Sequence, residues 1–366
     1  LDKKDILVVG GYGQVGSTIC SRLAALYPGH VIAAGRSLAR AEAFFRKMGN
    51  AVRPMELNLL EPIEPERLQS VKLVMMCLDQ TDTRFVESCI QAGADYIDIT
   101  ANFEFLSRLE SLGGLMEGHR TAAVISVGLA PGLTNLMAMA AKKHFTDYRS
   151  AEITIMLGLG EAHGRAAMEW TLDQLNTRYA VMQEGSMLEV VGFTGGQKTD
   201  FGPHLGKRTG YLFNFSDQHV LPRTVGVRTA TTRLCFDSRI VTKLVAGAKS
   251  TGILRLLRYR FIREAALKLF GLLRAGQELF AVKVDAKGVW GDEERVVELT
   301  LTGKREAEVT GIVAAAAAAR LYRSDSARGL YHLEQFLALD DLVSGELSGC
   351  IEVKTEMTVV KRVELS

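Results

Sequence analysis

The sequence lacks the marks of most specialised protein classes. Its five cysteines, Cys20, Cys77, Cys89, Cys235 and Cys350, are scattered and form no CxxC. That argues against a zinc site or a disulfide framework and fits a reducing compartment. The seven histidines make no HExxH or similar pair, so no metal site is expected. No apolar run is long enough to span a bilayer. Lysine and arginine number 44 against 42 aspartates and glutamates, a formal net charge of +2, so nothing global favours nucleic acid as a partner. Apart from one run of alanines, no repeat or low-complexity linker interrupts the chain. The first residues lead straight into a predicted strand, so the expectation is a cytoplasmic chain without a signal peptide. What remains is ordinary globular composition, 47% hydrophobic and 23% charged in 366 residues, a length that predicts about two domains.

One stretch carries chemistry. Residues 6–9 (ILVV) are a β-rich apolar run, followed at once by Gly11-Tyr12-Gly13-Gln14-Val15-Gly16, the spacing GxGxxG. Gly11 is expected to make the tight turn off the strand. Gly13 lets backbone N–H groups approach a pyrophosphate, and Gly16 lets the next helix lie close to the sheet. That helix, predicted from Gln14, carries Val15, Ile19, Leu23 and Leu26 on its apolar side and turns its positive end toward the phosphates. A strand before the motif and an amphipathic helix after it distinguish a dinucleotide site from a glycine-rich turn.

The second predicted strand, residues 30–35, ends at Arg36-Ser37, with Arg40 one helical turn on. NAD-preferring sites place an acid about 20 residues past the glycines. Arg36 holds that place, and no acid lies between Val31 and Arg40. A guanidinium suits a 2′-phosphate by charge and by its fork of donors, so NADP is expected ahead of NAD. Arg36 and Ser37 therefore join the six motif residues as cofactor contacts. Asn58, after the third strand, and Leu78, at the end of the fourth, complete the set.

Strands at 51–57, 71–78, 96–100 and 122–127, with helices at 39–48 and 83–92, continue the βαβ alternation of a right-handed parallel sheet. The predicted fold class is α/β: a Rossmann-type doubly wound parallel sheet with a second, mixed α+β substrate domain. Asp79 falls in the crevice at the carboxyl end of the fourth strand. Asp98 falls inside the fifth, where an acid is costly unless paired or facing a cleft.

Four segments together resemble the saccharopine dehydrogenase-like family of saccharopine reductases, lysine dehydrogenases and carboxynorspermidine-type reductases. They are GGYGQVG, the GRS after strand two, ESCIQAGADYIDIT at 87–100, and VGLAPGLTN at 127–135. The resemblance implies an NAD(P) domain, then a substrate domain inserted before a last helical return to the first. It also implies hydride transfer at a C–N bond of an amino acid or polyamine derivative. Saccharopine reductases usually carry an acid before the proline of the GLxPG turn. Ala130 stands there, which weakens saccharopine as the particular substrate. The expected domains are 1–130 with 310–350, for the dinucleotide, and 131–309, for substrate and dimerisation.

The middle of the chain reads as a strand at 153–159, a polar loop at 160–165, a helix at 166–182 and a strand at 225–236. A hairpin of 280–285 with 295–302 turns around 288–292. Candidates for the proton role are Asp79, Asp98 and His163. A substrate carboxylate would need a cation from among Arg165, Arg223, Arg228 and Arg233. A polyamine would instead need acids such as Glu161, Glu169 and Asp217. Residues 253–273 are basic and amphipathic, a composition shared by membrane-surface helices and ordinary outer helices. They lack Trp and the overall charge is near neutral, so no membrane role is expected. Ala314 to Ala319 form a run of the best helix former, assigned to the return helix from Thr310. No Tyr-x-x-x-Lys pair follows the fourth strand, which disfavours a short-chain carbonyl reductase. The expected protein is a homodimer acting on a small molecule; the alternative is an NADP-binding sensor or scaffold that catalyses nothing.

Overall fold

A computed structural model describes residues 3–160, 164–272 and 276–362. The chain divides into two compact units, Leu1–Leu133 with Ala307–Leu347, and Thr134–Glu306 with Ser348–Ser366.

The first unit begins as β1 (Asp5–Val9), α1 (Gln14–Leu26), β2 (Val31–Gly35), α2 (Leu38–Lys47) and β3 (Arg53–Glu56). It continues through β4 (Val71–Met76), α3 (Arg84–Gln91), β5 (Asp95–Asp98), α4 (Phe103–Glu110), α5 (Gly113–Gly118) and β6 (Ala122–Ile125). The second unit then supplies α6 (Thr134–Lys142), β7 (Asp147–Leu157), α7 (Arg165–Gln174), β8 (Arg178–Gln183), β9 (Ser186–Val191), β10 (Gln197–Asp200) and β11 (Lys207–Leu212). After these come α8 (Asp217–Thr224), β12 (Thr229–Phe236), α9 (Arg239–Ser250), α10 (Arg260–Leu272), β13 (Leu279–Trp290) and β14 (Glu293–Lys304). The chain returns to the first unit with α11 (Glu306–Arg323), β15 (Gly329–His332), α12 (Leu333–Phe336) and α13 (Leu339–Ser344), and ends in the second with β16 (Ile351–Arg362).

The first unit's sheet has the order β15-β6-β5-β4-β1-β2-β3, and its pairs are parallel. β1, β2 and β6 are buried along their whole length, as strands covered on both faces must be. Pro54, which cannot donate to a ladder, sits in the edge strand β3, where that costs nothing. The strand order reverses between β1 and β4, which is where open α/β sheets bind ligands. Ala314 to Ala319 are all buried. A Cβ added at Gly311 would lie 2.7 Å from Thr18 Cβ, so small residues are what let α11 lie against α1.

The second unit's sheet is mixed, in the order β10-β11-β12-β7-β13-β14-β16; β12 runs parallel to β7 and the other pairs are antiparallel. β8 and β9 form a separate hairpin with positive φ at both Glu184 and Gly185, the combination a two-residue turn of matching twist requires.

The α/β class and the parallel sheet are as expected. Several expected bounds shift by a few residues, and three elements differ most. The helix predicted over 166–182 stops at Gln174, and β8 begins at Arg178; Tyr179 and Val181 are buried at the two-residue period of a strand. The basic stretch 253–273 is two pieces, a 3-10 turn at Ile253–Arg258 entered through Gly252 at φ +78°, then α10. β7 starts at Asp147, six residues before the predicted 153.

Candidate functional site

The glycine turn is built differently from the expected assignment. Gly10, not Gly11, takes the left-handed backbone, with φ +81°. Its N–H donates to the Ala34 carbonyl at 2.8 Å, which ties the turn to the end of β2. Gly11 is needed for close approach: a Cβ there would lie 2.8 Å from the Val8 carbonyl oxygen and 2.9 Å from Ala33 Cα. At Gly16 it would lie 2.3 Å from the Gly10 oxygen. At Gly13 it would meet only that oxygen, at 3.1 Å. Gly13 is thus the motif glycine where an added Cβ would be crowded least. α1 opens on it with no side-chain cap and no acid in its first turn, so the helix presents a positive end that no side chain neutralises. A pyrophosphate fits such a cradle.

Tyr12 braces the neighbouring strand end. Its hydroxyl accepts the Ser37 N–H at 3.2 Å and occupies the space a Gly35 side chain would need. The Arg40 guanidinium lies 5.0 Å from its ring centre. Ser37 caps α2 by accepting the Arg40 N–H. Arg36 is exposed, and α2 has no acid in its first turn. Asn58 is engaged with its own turn, accepting the Leu60 N–H at 3.2 Å and donating to Glu61 at 2.7 Å. Leu78 lies beside Gly10 with 40% of its surface exposed.

At the carboxyl ends of β4 and β5 the chain gathers a polar network. Asp98 is the last residue of β5, not its middle, and is buried. Its Oδ2 accepts the Tyr96 hydroxyl at 2.7 Å and Gln80 Nε2 at 3.2 Å; its Oδ1 accepts the Thr100 N–H at 2.8 Å. Burial pushes this carboxyl up to about 7, against the pull of those donors. The Thr100 hydroxyl donates to Asp79 Oδ1 at 3.4 Å. Asp79 is exposed to solvent, yet crowding by protein raises its carboxyl as well. Thr100 therefore links the two acids, one solvent-facing and one spent on internal bonds. His163 and Glu161 lie outside the described residues.

A second buried network was not anticipated. Ser126, at φ +57° just past β6, places its Oγ 2.8 Å from His332 Nδ1, and His332 Nε2 lies 3.2 Å from Glu110. The serine and histidine are 206 residues apart, and no local spacing signals the contact.

The candidate cations separate by environment. Arg165 is exposed and bonded to Glu169 at 2.7 Å and Glu264 at 2.8 Å. Arg228 is exposed and paired with Asp147 at 2.8 Å. Arg223 lies in the last turn of α8. Arg233 alone of the four is largely buried, its side chain 13% exposed. Its Nη1 donates to the Thr231 hydroxyl at 3.2 Å, Glu152 lies 3.6 Å away, and its Nε is buried without a partner. Of the acids, Glu169 is engaged by Arg165, and Asp217 is buried, accepting the Thr232 hydroxyl at 2.6 Å. His219, on the same helix, is bonded to Asn214, and burial pulls it down to about 4. Among the described residues no group of histidine, cysteine and acid side chains could hold a metal ion.

Comparison with known proteins bears out the resemblance. Residues 6–153 match the family model described as the saccharopine dehydrogenase NADP binding domain. The carboxyaminopropylagmatine dehydrogenase of Synechocystis is 23% identical over 239 residues; the match takes in 60% of this chain but only 59% of that protein. The apo L-Glu-forming saccharopine dehydrogenase of Saccharomyces cerevisiae shares the fold, with a TM-score of 0.71 at 15% identity, over 97% of this chain and 100% of the other.

Proposed function

We propose that this chain, whose residues 6–153 match the NADP-binding domain of saccharopine dehydrogenases, is an NADP-dependent oxidoreductase acting at a C–N bond. The observation that carries the reading is the uncapped start of α1 on Gly13, the least crowded of the motif glycines, with exposed Arg36 where an acid would mark NAD. When bound, the cofactor supplies or accepts hydride at nicotinamide C4, and the chain does the rest. Backbone N–H groups at the start of α1 hold the pyrophosphate, and Arg36 pairs with the 2′-phosphate. Asp79, exposed and held by Thr100, gives a proton to the substrate nitrogen as the C=N bond is reduced, or removes it in the reverse direction. Asp98 is a positioning residue that fixes Thr100 through its backbone N–H.

The substrate class favoured is an amino acid derivative, and Arg233 is the candidate cation with capacity left for a carboxylate. Arg165 and Arg228 are spent on surface ion pairs, whereas Arg233 retains a buried unpaired donor, and a buried donor gains most from an anion. The polyamine alternative loses support because Asp217 and Glu169 are engaged within the protein. Cytoplasmic work is consistent with five free thiols.

Incubation with NADPH and pairs of amino acids with 2-oxoacids, followed by the absorbance of the reduced nicotinamide, tests the reading. Oxidation with at least one pair is expected. NADPH binding without turnover on any amino acid or amine would favour the sensor alternative.

A further inference from the structure

We propose that α9, the turn Ile253–Arg258 and α10 form a surface that docks on anionic phospholipid bilayers, lying in the plane of the interface. Both helices keep one side for the protein and expose large apolar side chains on the other, and the turn between them buries no residue. On α9, Thr242 is buried, while Ile240 and Leu244, one turn apart, are 71% and 66% exposed. On α10, Leu267 is buried and Phe270 meets Phe236 at 6.0 Å, while Phe261 and Leu269, two turns apart, are 75% and 62% exposed. Between the helices, Ile253, Leu256 and Tyr259 are exposed as well. Scattered apolar residues on a surface are ordinary, but seven large ones within about 30 residues on successive helices mark an interaction site.

The charge says what it meets. Residues 239–272 contain eight lysines and arginines and one acid, Glu264. The segment carries +7 in a chain of formal net +2, which leaves −5 on all the other residues. Glu264 is bonded to Arg165. Two of the cations are also tied inward, Arg263 to Asp173 and Lys249 to Leu175 and Asn176. Arg239, Lys243, Arg255, Arg258, Arg260 and Lys268 remain around the apolar stripe. Such a face can bury its apolar side chains about 5–10 Å into the headgroup boundary, while each cation near an anionic surface strengthens binding by about fivefold. A second copy fits poorly, because a two-fold contact would set +7 against +7. Nucleic acid would use the cations but gain nothing from Phe261, Leu269 and Ile240. No helix among the described residues is long and apolar enough to cross a membrane, which is compatible with lying on one. The near-neutral overall charge and the absence of Trp from 253–273 speak against a membrane role, but the positive charge is concentrated in the segment whose apolar residues are exposed.

The test is co-sedimentation of the full chain with phosphatidylcholine vesicles, with and without phosphatidylserine. Binding to the anionic vesicles only, weakened steeply by salt, is expected. Joint substitution Phe261→Ser and Leu269→Ser should lower partitioning at least about tenfold, and so should Arg255→Gln with Arg258→Gln, each with NADPH binding unchanged. Equal binding to neutral vesicles, or none to either, would overturn the proposal. So would a dimer in light scattering that dissociates on Phe261→Ser and Leu269→Ser without any vesicle binding by the parent. If the apolar variant fails to fold, the cation variant and the salt titration still decide.

Discussion

The two seven-stranded sheets handle polar groups in opposite ways. In the parallel sheet, charge is kept to strand ends: Asp98 closes β5 and Asp79 follows β4. In the mixed sheet, charge crosses the middle. Thr231, Glu152, Asp285, Glu298 and Glu356 stand directly opposite one another on β12, β7, β13, β14 and β16. Two residues along each strand, Arg233, Thr154, Lys283, Thr300 and Lys354 form a second row. Lys283 ties the rows together, at 2.5 Å from Glu298 and 3.4 Å from Asp285. The first unit thus makes its candidate site from backbone, with glycines and a helix end. The second makes its polar face from side chains brought into register. Backbone geometry fails abruptly when a Cβ is added; side-chain networks fail in proportion to the charge left alone.

Five sets of substitutions probe that contrast, and the largest effects belong to the glycines. Gly13→Val is expected to keep the fold and abolish NADPH binding, whereas Gly16→Ala, with 2.3 Å to the Gly10 oxygen, should lower thermal stability first. Melting curves and cofactor titration of both variants separate the two roles; a Gly13→Val protein that is folded and still binds NADPH would remove the phosphates from this turn. Next, Lys283→Met should cost about 3–5 kcal/mol, because a largely buried cation leaves carboxylates uncompensated. Chemical denaturation measures it, and a neutral result would mean that the charged rows do not hold the sheet.

The third concerns pH. Asp98 sits at about 7 in the folded chain against an unfolded value of 3.8. Between those values the folded state keeps a proton that the unfolded state releases. The contribution of Asp98 to stability is therefore greatest in acid and falls as pH rises toward 7, by up to about 4 kcal/mol at 1.36 kcal/mol per unit. Asp95, pushed up to about 6 by burial, acts in the same direction. Denaturation at pH values from about 4 to 8 should show this slope, and Asp98→Asn should flatten it. Smaller again, Arg36→Ala should remove about 1.5–3 kcal/mol of preference for NADP(H) over NAD(H), read by calorimetry; equal affinities in the parent protein would refute the assignment. As the floor of the series, Arg228→Ala should change stability by no more than ~1 kcal/mol, since its pair with Asp147 is exposed.

The same contrast decides what could be read from the sequence. The first sheet was legible because each of its signals is local: an apolar run, a glycine spacing, an arginine at a fixed offset. Even there the turn fell on Gly10 rather than Gly11, because the spacing counts glycines but not which of them takes positive φ. Residues 175–182 were misread because the pattern of Leu175 and Tyr179 suits a helix, while the Tyr179 and Val181 alternation belongs to a strand pairing β9. The charged rows and the contacts of Ser126 with His332 and His332 with Glu110 were beyond reach, since they depend on register between segments far apart in sequence.

The return of α11 and β15 to the first unit has a consequence for synthesis. When residue 133 leaves the ribosome, the parallel sheet lacks its seventh strand, and the surface of α1 that meets Gly311 is bare. Both gaps stay open while the whole of residues 134–306 is made. The second unit waits in turn for β16, the last strand of the described chain, to cover the edge of β14. Neither unit can finish before most of the other has been translated, so completion of both waits for β15 and β16. During that interval the unpaired edges of β6 and β14 are the surfaces most exposed to aggregation and most in need of chaperone cover.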